Sequence, residues 1–168
     1  MANVSGLDHA VMMLSDDLLE EVKDANILIV EGRFYTAIND DLIKGACQAL
    51  SEAGATHLIL TVAGALEIPP MIMIAINEAE NAGHPFDAVV ALGCVIRGET
   101  GHYDIVAGES SRALMDLSVA LGLPLGNAIL TVENMEQAQV RAYEKGRGAV
   151  IAALGVLAHK RILKVEHE

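Results

Sequence analysis

The run from Ala88 to Ile96 is apolar almost without interruption. A strand takes that composition when both faces of its sheet are covered; one with a wet face alternates apolar and polar residues. A doubly covered, central strand commits the chain to a layered arrangement of helices on a sheet. Ile27 to Glu31 is a second short β-branched run, and Asn39-Asp40-Asp41 beyond it suit the start of a helix. Leu42, Ile43, Ala46, Ala49, Leu50 and Ala53 recur every three or four residues, which gives that helix one buried face, and Gly54 supplies a left-handed stop. His57 to Val62 reads as the next strand. Pro69-Pro70 opens a second helix, because proline in a first turn removes amides that would lack partners anyway, and Gly83 closes it. A helix from about Tyr103 to Leu121 ends at Gly122 with Pro124 beyond, and Ala128 to Val132 makes a fourth strand. Asn134 with Gln137 resembles a capping box. The helix it opens is expected to break near Gly146 to Gly148 and to resume to about Leu163.

Strand and helix thus alternate four times within 168 residues. That length suits one domain, and the alternation predicts a single-domain, three-layer α/β/α fold on a four-stranded parallel sheet with right-handed crossovers. Charge narrows the partners. Lys and Arg number 11 against 23 Asp and Glu, a net charge of -12 that repels nucleic acid and anionic lipid. No apolar run reaches the roughly 18 residues of a membrane span. The first residues are acidic (Asp8, Asp16, Asp17, Glu20, Glu21) and unlike a targeting peptide, so a cytoplasmic location is expected, and the Asn3-Val4-Ser5 sequon carries no weight. Cys47 and Cys94 are then expected to be buried thiols rather than a disulfide.

In open parallel sheets ligands bind beyond the carboxyl ends of the strands. Gly32-Arg33-Phe34-Tyr35 follows the first strand, and Phe34 either stacks on a flat ring or packs as a staple on the helix or a neighbouring subunit. Gly64-Ala65-Leu66-Glu67-Ile68-Pro69 follows the second. Glu67 is either a helix-start carboxylate or an acceptor for substrate hydroxyls. After the third strand comes the densest block, Gly93-Cys94-Val95-Ile96-Arg97-Gly98-Glu99-Thr100-Gly101-His102-Tyr103-Asp104. Glycines and a threonine before a helix leave amide donors free, which lets a chain without a basic surface hold a phosphate. His102 sits at that helix start, and an imidazole, with a reference pKa near ~6.5, exchanges protons at neutral pH. Beyond the fourth strand, Arg141 and Lys145 share a helix face, as a solvated stripe or as a clamp for a dianion.

Walker loops, GxGxxG fingerprints, paired histidines and CxxC are missing from the sequence, so nucleotide, dinucleotide and zinc chemistry lack support, and neither metal nor cofactor is expected. His9, His57, His84, His159 and His167 are scattered and read as structural or surface residues. Met71 and Met73 read as packing.

Four blocks together resemble the lumazine synthase family: Gly32-Arg33-Phe34, Gly64 to Pro69, Gly93 to Thr100 with His102, and Glu133-Asn134-Met135-Glu136-Gln137-Ala138 with Arg141. The resemblance runs from about Ile27 to the last helix and leaves residues 1–24 of the single 1–168 domain as an N-terminal extension. It implies a flavodoxin-like fold and the cofactor-independent condensation of 5-amino-6-(D-ribitylamino)uracil with 3,4-dihydroxy-2-butanone 4-phosphate to 6,7-dimethyl-8-ribityllumazine. It also implies roles. Phe34 stacks on the pyrimidine; Ala65, Leu66 and Glu67 meet the ribityl chain; Cys94, Val95 and Ile96 line the ring. Glu99, Thr100, Arg141 and Lys145 hold phosphate, and His102 is the proton donor. Asn127 and Leu66 stand where many members carry aromatics, Asn127 closing the pocket from a neighbouring subunit. The implied partner is the chain itself, as a homopentamer or as a decamer or sixty-subunit shell built from pentamers. A non-catalytic riboflavin- or lumazine-binding relative, against which Thr100, His102 and Arg141 argue, and a shell-forming protein with vestigial sites, which would assemble yet give no product from both substrates, are the alternatives.

Overall fold

The computed structural model describes residues 14–165; Asn3-Val4-Ser5, Asp8, His9 and His167 lie outside them. Helix α1 (Asp16–Val22) leads into strand β1 (Asn26–Gly32), followed by α2 (Thr36–Glu52), β2 (Thr56–Val62), a 3-10 turn over Ala65–Glu67 and α3 (Ile68–Asn81). Then come β3 (Ala88–Ile96), α4 (His102–Leu121), β4 (Leu125–Val132), α5 (Met135–Gln139) and α6 (Ala142–Val165). The four strands are parallel in the order β2-β1-β3-β4. This is the three-layer flavodoxin-like α/β fold expected from the sequence, with β1 and β3 at the centre. The strand order reverses between those two, and that switch point is where such sheets open a crevice.

Alternate residues of β1 supply the two cores. Ile27 and Ile29 pack with α2 and α6 on one face; Leu28 and Val30 pack with α3 and α4 on the other. All four are fully buried, as the unbroken apolar runs require. The N-terminal helix docks on the α6 side, with Val22 buried and the Glu21 carbonyl accepting a 2.7 Å hydrogen bond from Arg161 Nη1. No described helix is long and apolar enough to cross a membrane. Gly122 ends α4 in the left-handed conformation (φ 56°), a geometry that costs glycine little because it lacks a β-carbon.

Four expectations need correction. Helix α2 begins at Thr36, a turn before Asn39, because Asn39 is buried within the helix and turns inward to donate to Glu31. Strand β4 begins at Leu125 rather than Ala128; its first residues pair with Val89, Val90 and Ala91, a partnership local sequence does not reveal. The final break falls at Val140-Arg141, between α5 and α6, and α6 runs straight through Gly146 and Gly148. Glycine is needed at position 146 for close packing, since a β-carbon there would collide with the Leu42 carbonyl oxygen of α2. The reciprocal contact sets Gly45 of α2 against Tyr143, where a β-carbon would collide with the carbonyl oxygen. Finally, Cys47 is only half-buried, its thiol 3.6 Å from His57 Nε2, whereas Cys94 is buried as expected; both are free.

Candidate functional site

The ends of β1 and β2 meet through bare backbone. A β-carbon on Gly32 would lie 2.7 Å from the Gly64 carbonyl carbon, so the two loops can approach this closely only without a side chain there. The Arg33 amide donates to the Val62 carbonyl at 2.9 Å and ties the loop after β1 to the end of β2. Above this junction opens a cleft of about 400 Å³, within the range of small-molecule sites. Its walls come from three strand ends. Phe34 and Tyr35 follow β1; Ala63, Gly64, Ala65, Leu66 and Glu67 follow β2; Cys94, Val95 and Ile96 end β3, and Gly98, Thr100, His102, Tyr103 and Val106 complete the rim and the first turns of α4.

Phe34 is 73% exposed, touching Tyr35 edge-on with ring centroids 5.0 Å apart. It offers an uncovered aromatic face at the mouth. Glu67 closes the 3-10 turn and precedes the two prolines of α3. No side chain caps α4 from Gly101, and the His102 amide reaches Thr100 Oγ1 only at 3.4 Å, which leaves the start of a 20-residue helix open to an acceptor from outside the chain. Arg97 braces this loop. Its guanidinium lies 4.0 Å from the centre of the Tyr103 ring and pairs with Asp104 at 3.2 Å and Glu133 at 3.1 Å. Burial pushes the Cys94 thiol up to about 11, so at neutral pH it is an uncharged wall rather than a nucleophile. Among the described residues, no group of three His, Cys, Asp or Glu side chains is placed to hold a metal ion.

Phe34, Ala65, Leu66, Glu67, Cys94, Val95, Ile96, Thr100 and His102, singled out in the sequence, line this one cleft. Glu99, Asn127, Arg141 and Lys145 do not. Glu99 is exposed on the loop beyond β3. Asn127 lies on the edge strand β4, where its Oδ1 accepts from the Ile129 amide at 2.8 Å. Arg141 sits at the break before α6, donating from Nη1 to the Gln137 carbonyl at 2.9 Å, with exposed Lys145 one turn on. Ala63 and Val106 line the cleft too, although no motif marks them. Val106 follows His102 by four residues, so helical spacing was the signal that could have found it.

A parallel α/β protein with an open cleft at the switch point, walled by apolar side chains and rimmed by a few polar groups, belongs to the small-ligand class of the flavodoxin-like folds. Within that class the chain belongs to the 6,7-dimethyl-8-ribityllumazine synthase family, whose model matches residues 24–161. The enzyme of that name from Methylorubrum extorquens is 58% identical over 153 residues, covering 89% of this chain and 88% of its own. That of Methylobacterium nodulans is 61% identical over 150 residues, covering 87% and 83%, and one from Rhodopseudomonas palustris is 53% identical over 154 residues, covering 89% and 93%.

Proposed function

We propose that this cleft is where the chain, a lumazine synthase acting in riboflavin biosynthesis, joins 5-amino-6-(D-ribitylamino)uracil to 3,4-dihydroxy-2-butanone 4-phosphate. The observation that carries the reading is that blocks from three separate strand ends line a single cleft beside a helix start that Thr100 Oγ1 meets only at 3.4 Å. In the reaction the primary amine attacks the ketone and water leaves as the imine forms. A proton is then lost next to the phosphate-bearing carbon and phosphate departs with the electron pair of its C–O bond; the enol so formed takes up a proton at its terminal carbon to become a ketone, and the ribitylamino nitrogen condenses with that ketone to close the second ring with loss of water. No net oxidation occurs, so no redox cofactor is called for. Each step moves a proton, and His102 at the rim is the group assigned to it. Phe34 covers the pyrimidine face, with Cys94, Val95 and Ile96 along the ring. Ala65, Leu66 and Glu67 meet the ribityl chain, where a carboxylate accepts from hydroxyls.

The phosphate is assigned to the backbone amides of Glu99 and Thr100, the Thr100 hydroxyl and the start of α4, completed by Arg141 and Lys145. These two and Asn127 act from an adjacent subunit in a homopentamer, or in a decamer or sixty-subunit shell. What supports this arrangement is that they lie outside their own chain's cleft, while no Lys or Arg stands among the described residues that line it. Residues 1–168 form one such domain, with 1–24 as an extension; the family match begins at residue 24. A cytoplasmic location belongs to the same reading and is supported by the two free thiols.

The test is to mix purified protein with both substrates and follow the lumazine chromophore, with sedimentation run in parallel. Product formation by an assembled protein is expected. Lumazine binding without turnover, or assembly with neither, would overturn the reading.

A further inference from the structure

Glu31 is a carboxylate at the end of an otherwise apolar strand, only 4% exposed, and it does not line the cleft. It gathers three donors. Thr61 Oγ1 of β2 donates to Oε1 at 2.8 Å; Asn39 Nδ2 of α2 and Arg33 Nη1 donate to Oε2 at 3.2 and 3.3 Å. The other end of the Arg33 guanidinium pairs with Asp40 in α2. Arg33 therefore straps the turn between β1 and α2 from both ends, and Phe34 stands at the top of that turn. Phe34 is largely exposed, touching only Tyr35 edge-on among aromatic rings. With so little packing on its ring, its orientation depends on how rigidly the strap fixes the backbone beneath it.

We infer that Glu31 is a positioning residue for the pyrimidine substrate, acting through Arg33 to fix the turn that presents the Phe34 ring. The inference rests on the reading of Phe34 as the ring-stacking residue. A buried carboxylate could instead serve only to hold the sheet to α2, and one substitution separates these roles. In Glu31→Gln, Oε1 still accepts from Thr61. The new amide faces Asn39, whose Oδ1 is buried with no hydrogen-bond partner among the described residues; a flipped Asn39 amide accepts from it and leaves Nδ2, in place of Oδ1, as the one group of that side chain without a partner. Arg33 alone is left facing a donor. The substitution thus releases the strap while keeping the contacts that join β1, β2 and α2.

Glu31→Gln is expected to lower the melting temperature by no more than a few degrees, to raise KM for the pyrimidine about tenfold, and to weaken binding of the lumazine product by a similar factor, the scale of one lost hydrogen bond to a charged group. KM for the butanone phosphate stays put and kcat falls less than twofold. Arg33→Lys, which cannot bridge two carboxylates with a planar fork, should reproduce the effect, and the double variant should be no worse than either single one. A pyrimidine KM and lumazine affinity within twofold of wild type would overturn the inference. So would a larger fall in melting temperature with both substrates affected equally, the signature of a structural role alone. Lumazine titration reads the effect without turnover. A wild type that binds lumazine but makes none therefore refutes the catalytic reading while leaving Glu31 testable.

Discussion

Gly146 of α6 rests directly on the backbone of Leu42 in α2, so close that a β-carbon would overlap the Leu42 carbonyl oxygen. Alanine there gains about 1 kcal/mol of helix propensity but pushes two helices apart, and overpacking costs about 1–3 kcal/mol or more. Gly146→Ala is therefore expected to be net destabilising, with a lower urea midpoint. Around Gly148, two residues on, no atom of the described residues lies within 4 Å of where a β-carbon would sit, so alanine should be accepted at no loss, gaining up to about 1 kcal/mol. The pair of midpoints checks both statements.

His102 stands at the rim of the cleft on the first turn of α4. One positioned acid or base contributes about 10²- to 10⁴-fold, whereas holding two reactants together supplies roughly 7–11 kcal/mol. His102→Ala is expected to slow kcat within about that 10²- to 10⁴-fold range and to leave turnover measurable by the growth of lumazine absorbance. Complete loss in a correctly assembled variant would contradict the assignment.

Arg141→Ala should act on the other substrate. A hydrogen bond to a charged group contributes about 1.5–3 kcal/mol, against about 0.3–1 from the end of a helix. The variant is expected to raise KM for the butanone phosphate about ten- to a hundredfold and to leave KM for the pyrimidine unchanged, as steady-state kinetics with each substrate varied in turn will show.

Cys94 lines the cleft, yet burial raises its thiol to about 11. The thiolate is the reactive form, so iodoacetamide at about pH 8 should label Cys94 far more slowly in the folded protein than in urea, and occupancy of the cleft should slow it further. Mass spectrometry of the Cys94 peptide measures this. Fast labelling of the native protein would mean that the cleft wall opens.

Glu52 accepts hydrogen bonds from Arg147 and from Gln48 at 2.9 Å, and these, Arg147 first, hold its carboxyl below the usual carboxylate range. A depressed folded-state pKa stabilises above the unfolded value, near ~4.3, and the contribution is lost as pH falls through the lower folded value. Glu52→Gln should therefore flatten part of the fall in melting temperature below about pH 4. At about pH 7 it should change little, since an ion pair with a half-exposed carboxylate contributes little.

Much of this could be read along the chain because its signals are local. Ala88 to Ile96 declares its own burial, Gly122 its left-handed turn, and the blocks after β1, β2 and β3 fall together because a parallel sheet delivers neighbouring carboxyl ends to one edge. What escaped depends on distant partners. Gly146 looks like a helix breaker until Leu42, far earlier in the chain, is set against it, and the start of β4 is fixed only by its ladder to Val89. Glu31 passes for the last residue of a strand because Thr61 and Asn39 reach it through the fold. Ala63 and Val106 carry no chemistry that would make a sequence reader stop at them. Arg141 and Asn127 are legible as residues, but their place outside their own cleft follows from topology.

The bare contact between Gly32 and Gly64 sets where this architecture is free to vary. Main chain abutting main chain makes a foundation that no substitution can deepen without prying β1 from β2. Innovation in ligand choice is thereby channelled upward, to Phe34 and Leu66, whose solvent-facing side chains can be exchanged while the foundation stays in place.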